Sequence, residues 1–181
     1  DILESVYGIM RETGSFFYNH KVRTKVNRKN DDSGSIGKEI KTFVHPLDWL
    51  RTTPFNIKQE LIWNQLSTHQ QNTAMFSPID ERIYWLTKDS PKIPKITIPT
   101  VIEMSKAGRK DHPAPFPPEL VERVLRPFVE DNRDMVVFDP FVGSGTTSLV
   151  ASTLGLSSVG IDQSERYIPV SYTHLRAHET D

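Results

Sequence analysis

The stretch that most limits what this chain can fold into is "MVVFDPFVGSGTT", residues 135–147. "MVVFD" (135–139) reads as a buried strand, "TTSLVASTLG" (146–155) as a helix ended by Gly155, and "SSVGID" (157–162) as a second strand. Strand, helix and strand at this spacing predict a right-handed βαβ unit with parallel strands, which commits the chain to the α/β class. The tight "VGSGTT" turn sits between the first strand and the helix. Such a turn presents unpaired backbone N–H groups and the positive end of the helix dipole, so it suits an anion. Gly143 and Gly145 allow a ligand to approach the backbone closely.

A second acid follows at the end of the second strand. Asp162 lies about 20 residues past the turn, where a carboxylate is placed to accept hydrogen bonds from ribose hydroxyls. A nucleoside-bearing ligand is therefore the first inference, and both NAD and S-adenosylmethionine satisfy it. The dinucleotide fingerprint calls for a third glycine at position 148, where this chain has Ser148. Asp139, beside the turn, would repel a pyrophosphate and would attract an ammonium group. S-adenosylmethionine carries an ammonium, a carboxylate and a sulfonium, so a site of mixed charge suits it better. Phe141 offers an aromatic surface to adenine or sulfonium, a contact of ~0.5–2 kcal/mol. The plainer alternative is that Asp139 only caps the turn and the glycines only tighten it.

The rest of the chain supports an α/β reading. Residues 2–13 predict an amphipathic helix stopped at Thr13-Gly14. "SFFYNH" (15–20) has the aromatic content of a buried strand. Residues 24–38 read as a polar loop, in which Gly34 and Gly37 stand too close together to form a phosphate cradle. "HPLDWLRTT" (45–53) predicts a short helix, and "KQELIWNQ" (58–65) and "ERIYWLTK" (81–88) predict strands. Pro91, Pro94 and Pro99 exclude a central strand or a long helix from the next stretch. "FPPELVERVLRPF" (116–128) carries a helical apolar stripe with prolines at its start.

At 181 residues, 36% hydrophobic and 25% charged, the chain has the size and composition of one globular domain. No apolar run reaches the ~20 residues of a membrane span, so no membrane partner is expected, and the default compartment is the cytoplasm. The absence of cysteine excludes disulfides and thiolate chemistry. His20, His45, His69 and His112 lack metal-ligand spacing, so no metal is expected. The net charge of −1 hides two basic stretches: seven Lys/Arg against three Asp/Glu over 21–41, and seven against two over 82–110. These are either solvated faces or phosphate contacts. Nothing in the sequence sets the oligomeric state.

"HPAPFPPELVERVL" (112–125) followed by "VVFDPFVGSGTT" (136–147) resembles the DNA amino-methyltransferases, in the permuted group whose cofactor motif follows the catalytic one. "GSFFYNHKVR" (14–23), "HPLDWL" (45–50), "QELIWNQ" (59–65) and "ERIYWLTK" (81–88) resemble phage and restriction–modification members of that family. The resemblance implies a Rossmann-like methyltransferase fold, a mostly parallel sheet with an antiparallel hairpin. It also implies transfer of a methyl group from S-adenosylmethionine to adenine N6 or cytosine N4 in flipped-out bases of double-stranded DNA. Asp139, Pro140, Phe141, Gly143, Ser144, Gly145, Thr146 and Thr147 would surround the methionine moiety, and Asp162 the ribose. His112, Pro113, Ala114, Pro115, Phe116 and Pro117 would pack over the methionine end. Lys88, Lys92, Lys95, Lys106, Arg109 and Lys110 would touch DNA phosphates, with 89–111 as a short target-recognition segment.

The family's catalytic Asp/Asn/Ser-Pro-Pro-aromatic tetrapeptide is not in this sequence. The expectation is a fragment, residues 1–168, whose catalytic loop and mid-sheet strand lie upstream of Asp1, inactive alone and marginally stable. Residues 170–181, "VSYTHLRAHETD", resemble a translated sequencing adapter and are expected to be a foreign tail. Two other readings stand beside this one: an NAD-dependent oxidoreductase and a non-catalytic nucleic-acid-binding module.

Overall fold

A computed structural model describes residues 2–20, 23–26, 40–66, 79–105, 117–129 and 134–164. It divides into two compact units, Asp1–Lys92 with Thr100–Ile102, and Ile93–Pro99 with Glu103–Asp181. Along the chain come α1 (Ile2–Ile9), β1 (Ser15–His20), β2 (Arg23–Val26), β3 (Ile40–Val44) and α2 (Pro46–Leu50). Then follow β4 (Asn56–Asn64), β5 (Asp80–Thr87), β6 (Val101–Glu103), α3 (Pro118–Val129), β7 (Val136–Asp139), α4 (Thr146–Thr153) and β8 (Ser157–Gly160).

The first unit is built on a four-stranded sheet in the order β1-β5-β4-β6. β5 is antiparallel to both its neighbours, pairing Tyr84 with Tyr18 on one side and with Glu60 on the other. β1 and β4 therefore run parallel to each other with β5 inserted between them, and β4 and β5, both read as strands from the sequence, pair antiparallel. Ile83, Tyr84, Trp85 and Leu86 are buried in succession, the pattern of a strand covered on both faces. Aromatic rings supply much of that cover. Phe17 stacks on Trp85 at 5.6 Å, and Phe55 meets Tyr7 edge-on at 5.1 Å. The Trp85 indole N–H donates to Ser15 Oγ at 2.9 Å, so its polar edge is satisfied inside the core.

Three local features differ from the sequence reading. α1 ends at Ile9 instead of residue 13, and Gly14 has no left-handed backbone. Gly14 serves close packing: a Cβ there would stand 2.7 Å from Met10 Cγ. β2 and β3 pair antiparallel where a loop was expected from residue 24, because backbone pairing does not require an apolar pattern. β6 is a three-residue strand at the sheet's edge, reached only after the last proline of 91–99. α2 forms as expected, and its N-cap is a histidine: His45 Nδ1 accepts the Leu47 amide, while Asp48 accepts the His45 amide.

The Tyr84 side chain is fully buried, and its hydroxyl has no hydrogen-bond partner among the described residues. Burial pushes the phenol up from 10.0 to about 12, the Glu60 carboxylate adds to the rise, and Arg82 opposes it. The phenol thus ionises more readily in the unfolded chain than in the folded one. Its contribution to stability is complete below the unfolded value and is lost as pH rises through the folded one. Tyr84→Phe should flatten the fall of the urea midpoint between pH 9.5 and 11.5, roughly the window set by that shift. At neutral pH the same substitution should be neutral or mildly stabilising, because no hydrogen bond is removed.

In the second unit β7 and β8 pair in parallel, Val136 to Ser157 through Asp139 to Gly160, with α4 as the crossover. This is the expected βαβ unit. Val137, Ala151 and Leu156 form its core, flanked by Leu125, Val129, Met135 and Leu154. Gly155 closes α4 with φ +72°, the left-handed cap that the sequence suggested. α3 contains Pro127 and bears the Glu122–Arg126 pair one turn apart on its surface. Val142, in the turn after β7, packs over Gly160 of β8, where a Cβ would lie 2.6 Å from Val142 Cγ2. Gly160→Ala should therefore destabilise the protein by about 1–3 kcal/mol. In Gly160→Ala/Val142→Ala the two costs should fall short of their sum in chemical denaturation, because the second change removes the clash.

Candidate functional site

The site is assembled at the carboxyl ends of β7 and β8, where open α/β sheets place their ligands. The parallel ladder continues beyond the last strand residues: the Ile161 amide donates to the Asp139 carbonyl, and the Val142 amide donates to the Ile161 carbonyl, both at 2.9 Å. These bonds bring the turn after β7 against the segment after β8. Within the turn, Gly143 and Gly145 adopt φ +49° and +82°, backbone that a side chain would strain. The Gly145 amide closes the turn onto the Val142 carbonyl at 2.8 Å.

The amide donors of the turn are less open than a bare glycine loop suggests. Phe141 donates its N–H to Asp139 Oδ1 at 2.9 Å, and Gly143 donates to Asp162 Oδ2 at 2.9 Å. Ser164 donates to the other oxygen, Asp162 Oδ1, at 2.8 Å. The donors left over by the helix are at the start of α4. The first helical bond runs from Leu149 to the Gly145 carbonyl, which leaves the amides of Thr146, Thr147 and Ser148 outside the helical ladder. Gly145 occupies the N-cap without a side-chain cap, and the first turn of α4 holds no acid to compete for an anion.

The side chains divide the same place by character. Thr146 and Ser148 are buried, and the hydroxyls of Ser144 and Thr146 stand 3.4 Å apart. Asp139 and Asp162 are half-buried, so each keeps acceptor capacity beyond the backbone bonds it already makes. Phe141 is 58% exposed beside them, a large aromatic surface without cover in the described structure. The arrangement thus combines helix-start donors, two carboxylates and an exposed ring.

Asp139, Pro140, Phe141, Gly143, Ser144, Gly145, Thr146, Thr147 and Asp162 all fall in this one cluster. Pro117 is buried at the start of α3, whereas His112, Pro113, Ala114, Pro115 and Phe116 lie outside the described residues. So do Lys106, Arg109 and Lys110, while Lys92 and Lys95 are exposed. Lys88 is a correction to the phosphate-binding set: its side chain is 8% exposed, its ammonium pairs with Glu12 at 3.3 Å and sits 4.6 Å over the Tyr7 ring. A cation enclosed in that way cannot reach a phosphate. Sequence reasoning missed Val142, Gly160 and Ile161, which seat the turn. Gly160 was the available signal, since a glycine inside a strand marks close approach of another segment.

Among the described residues no group of three His, Asp or Glu is placed to hold a metal ion. No described helix is long and apolar enough to cross a membrane. An open groove of about 360 Å³ runs between α3 and α4, lined by Glu119, Glu122, Arg126, Leu149, Thr153 and their neighbours. It contains none of the turn residues, where donors and carboxylates converge.

Comparison with known proteins gives the family and the fold. The profile of the N6/N4 methyltransferase family, described as DNA methylase, matches residues 1–173. The type II methyltransferase M.ScaI of Streptomyces caespitosus is 29% identical over 161 residues, covering 69% of this chain and 52% of that protein. The chain thus spans about half the length of that relative. PvuII DNA methyltransferase (cytosine-N4-specific) shares the fold with a TM-score of 0.76 at 20% identity, over 96% of this chain and 67% of that one. The M1.HpyAVI–SAM complex superposes with a TM-score of 0.67 at 17% identity, over 94% and 79%. The fold is Rossmann-like, and the chain belongs to the DNA methylase family of N6 and N4 amino-methyltransferases.

Proposed function

We propose that this chain carries the S-adenosylmethionine site of an enzyme that methylates adenine N6 or cytosine N4 in double-stranded DNA. The observation that carries the reading is the join of the Asp139–Thr147 turn to Asp162 across the ends of two parallel strands. M1.HpyAVI, which shares the fold, was solved with SAM bound. The amides of Thr146, Thr147 and Ser148, outside the helical ladder, suit the ligand's carboxylate, and Asp139 suits its ammonium. Asp162 suits the ribose diol, and Phe141 the adenine or the sulfonium. A pyrophosphate fits less well, because Asp139 stands at the turn and the buried Ser148 replaces the third glycine of the dinucleotide fingerprint.

The bound cofactor supplies an electrophilic methyl group on a sulfonium. The protein's part is to hold that group in line with the exocyclic amine, whose lone pair is delocalised into the base. A polar side chain and a carbonyl that localise the lone pair lower the barrier. The Pro-Pro-aromatic loop that does this in the family is not among these 181 residues, so the chain is expected to bind cofactor without methylating DNA by itself. Residues 1–168 constitute the methyltransferase part, with 89–111 as the target-recognition segment and Lys92 and Lys95 on its exposed surface.

Titration calorimetry should give binding of S-adenosylmethionine and none of NAD, and Asp139→Ala should weaken it about 10- to 100-fold, the worth of a charge-assisted hydrogen bond. Binding of NAD with no response to S-adenosylmethionine would reverse the assignment. Affinity for a DNA duplex should fall steeply with salt, and Lys92→Ala/Lys95→Ala should lower the log–log slope by roughly one for each phosphate that a lysine no longer neutralises. A slope near zero for the unaltered chain would remove phosphate binding from the proposal.

A further inference from the structure

We propose that Asp162 is a positioning residue for the glycine turn as well as a contact for the ribose; this rests on the cofactor reading above. Each of its two carboxylate oxygens already accepts a backbone amide, Gly143 at 2.9 Å and Ser164 at 2.8 Å. Two other amides of the turn are held by groups that substitution cannot remove, Val142 by the Ile161 carbonyl and Gly145 by the Val142 carbonyl, and Phe141 is held locally by Asp139, two residues earlier. Gly143 differs in that its hold is both a side chain and distant. It sits at φ +49°, where glycine has wide conformational freedom, and its amide is held by a side chain 19 residues away in sequence.

A carboxylate has about four lone-pair sites, so two remain for a diol after the two amides are counted. One side chain would then join the adenosine end of the ligand to the turn that receives its amino-acid end. An acid at this place can do two separable jobs. If Asp162 only meets ribose hydroxyls, it matters only to ligands that have them. If it also holds the turn, it matters to the protein without ligand and to ligands lacking the hydroxyls.

The test uses the whole 181-residue chain. Amide hydrogen exchange, read by NMR without ligand, should show Gly143 and Ser164 protected. Asp162→Asn, which keeps the side chain's size, should speed exchange at both by about tenfold or more while Ala151 inside α4 is unchanged. Calorimetry with S-adenosylhomocysteine and its 2′,3′-dideoxy analogue supplies the second arm: Asp162→Asn should weaken the analogue about tenfold as well. Wild-type Gly143 exchanging at the rate of an open loop would overturn the proposal, and that measurement needs no variant to fold. Equal affinity of the analogue for wild type and Asp162→Asn would also overturn it. Exchange that responds to Asp162→Asn in a chain binding neither compound would refute the cofactor reading and leave the hold on the turn established.

Discussion

Two backbone hydrogen bonds at Ile161 hold the site together. The strands themselves end at Asp139 and Gly160, yet the amide and carbonyl of Ile161 carry the pairing one step further, onto Asp139 and Val142. Without that step the turn would be tied to the end of β8 only through Asp162 and the packing of Val142 on Gly160. Because the bonds are main-chain, almost any residue at 161 can make them. The demand falls instead on Gly160, whose missing side chain gives Val142 the room to settle.

The first unit solves a different problem. A strand buried on both faces must dispose of every polar group it brings along, and β5 brings several. Trp85 gives its indole proton to Ser15, and Arg82 at the rim reaches Glu60 and Asp80. Lys88, just past the strand, is enclosed with Glu12 and the Tyr7 ring. Trp85–Ser15 and Lys88–Glu12 join residues 70 and 76 positions apart, whereas Arg82–Asp80 is local to the strand, so only the first two tie distant parts of the chain together.

How much of this was legible in the sequence depended on whether the signal was local. The βαβ unit was legible because apolar runs, two left-handed glycines and a helix-ending glycine all lie within about 30 residues. β4 and β5 were legible as strands, although their pairing with each other was not. The β2–β3 pair was not legible, since β2 opens a polar stretch and the five residues of β3 are too short a run to read alone. β6 was masked by the prolines that precede it. Lys88 shows the limit most clearly: a charge tally counted it as basic surface, and only the fold shows its partner, 76 positions earlier in the chain. In the site itself the turn residues and Asp162 come together as their spacing suggested, but the backbone amides already held by Asp139 and Asp162 had no sequence signature.

The enclosed phenol of Tyr84 gives the molecule an internal optical gauge. A tyrosine that ionises absorbs differently in the near ultraviolet, and tyrosines open to solvent change as soon as the pH reaches their ordinary range. Tyr84 is shut away with its proton on. In a jump to alkaline pH its share of the absorbance change would therefore lag behind the others. The length of that lag would time how often the sheet of the first unit opens far enough to admit hydroxide.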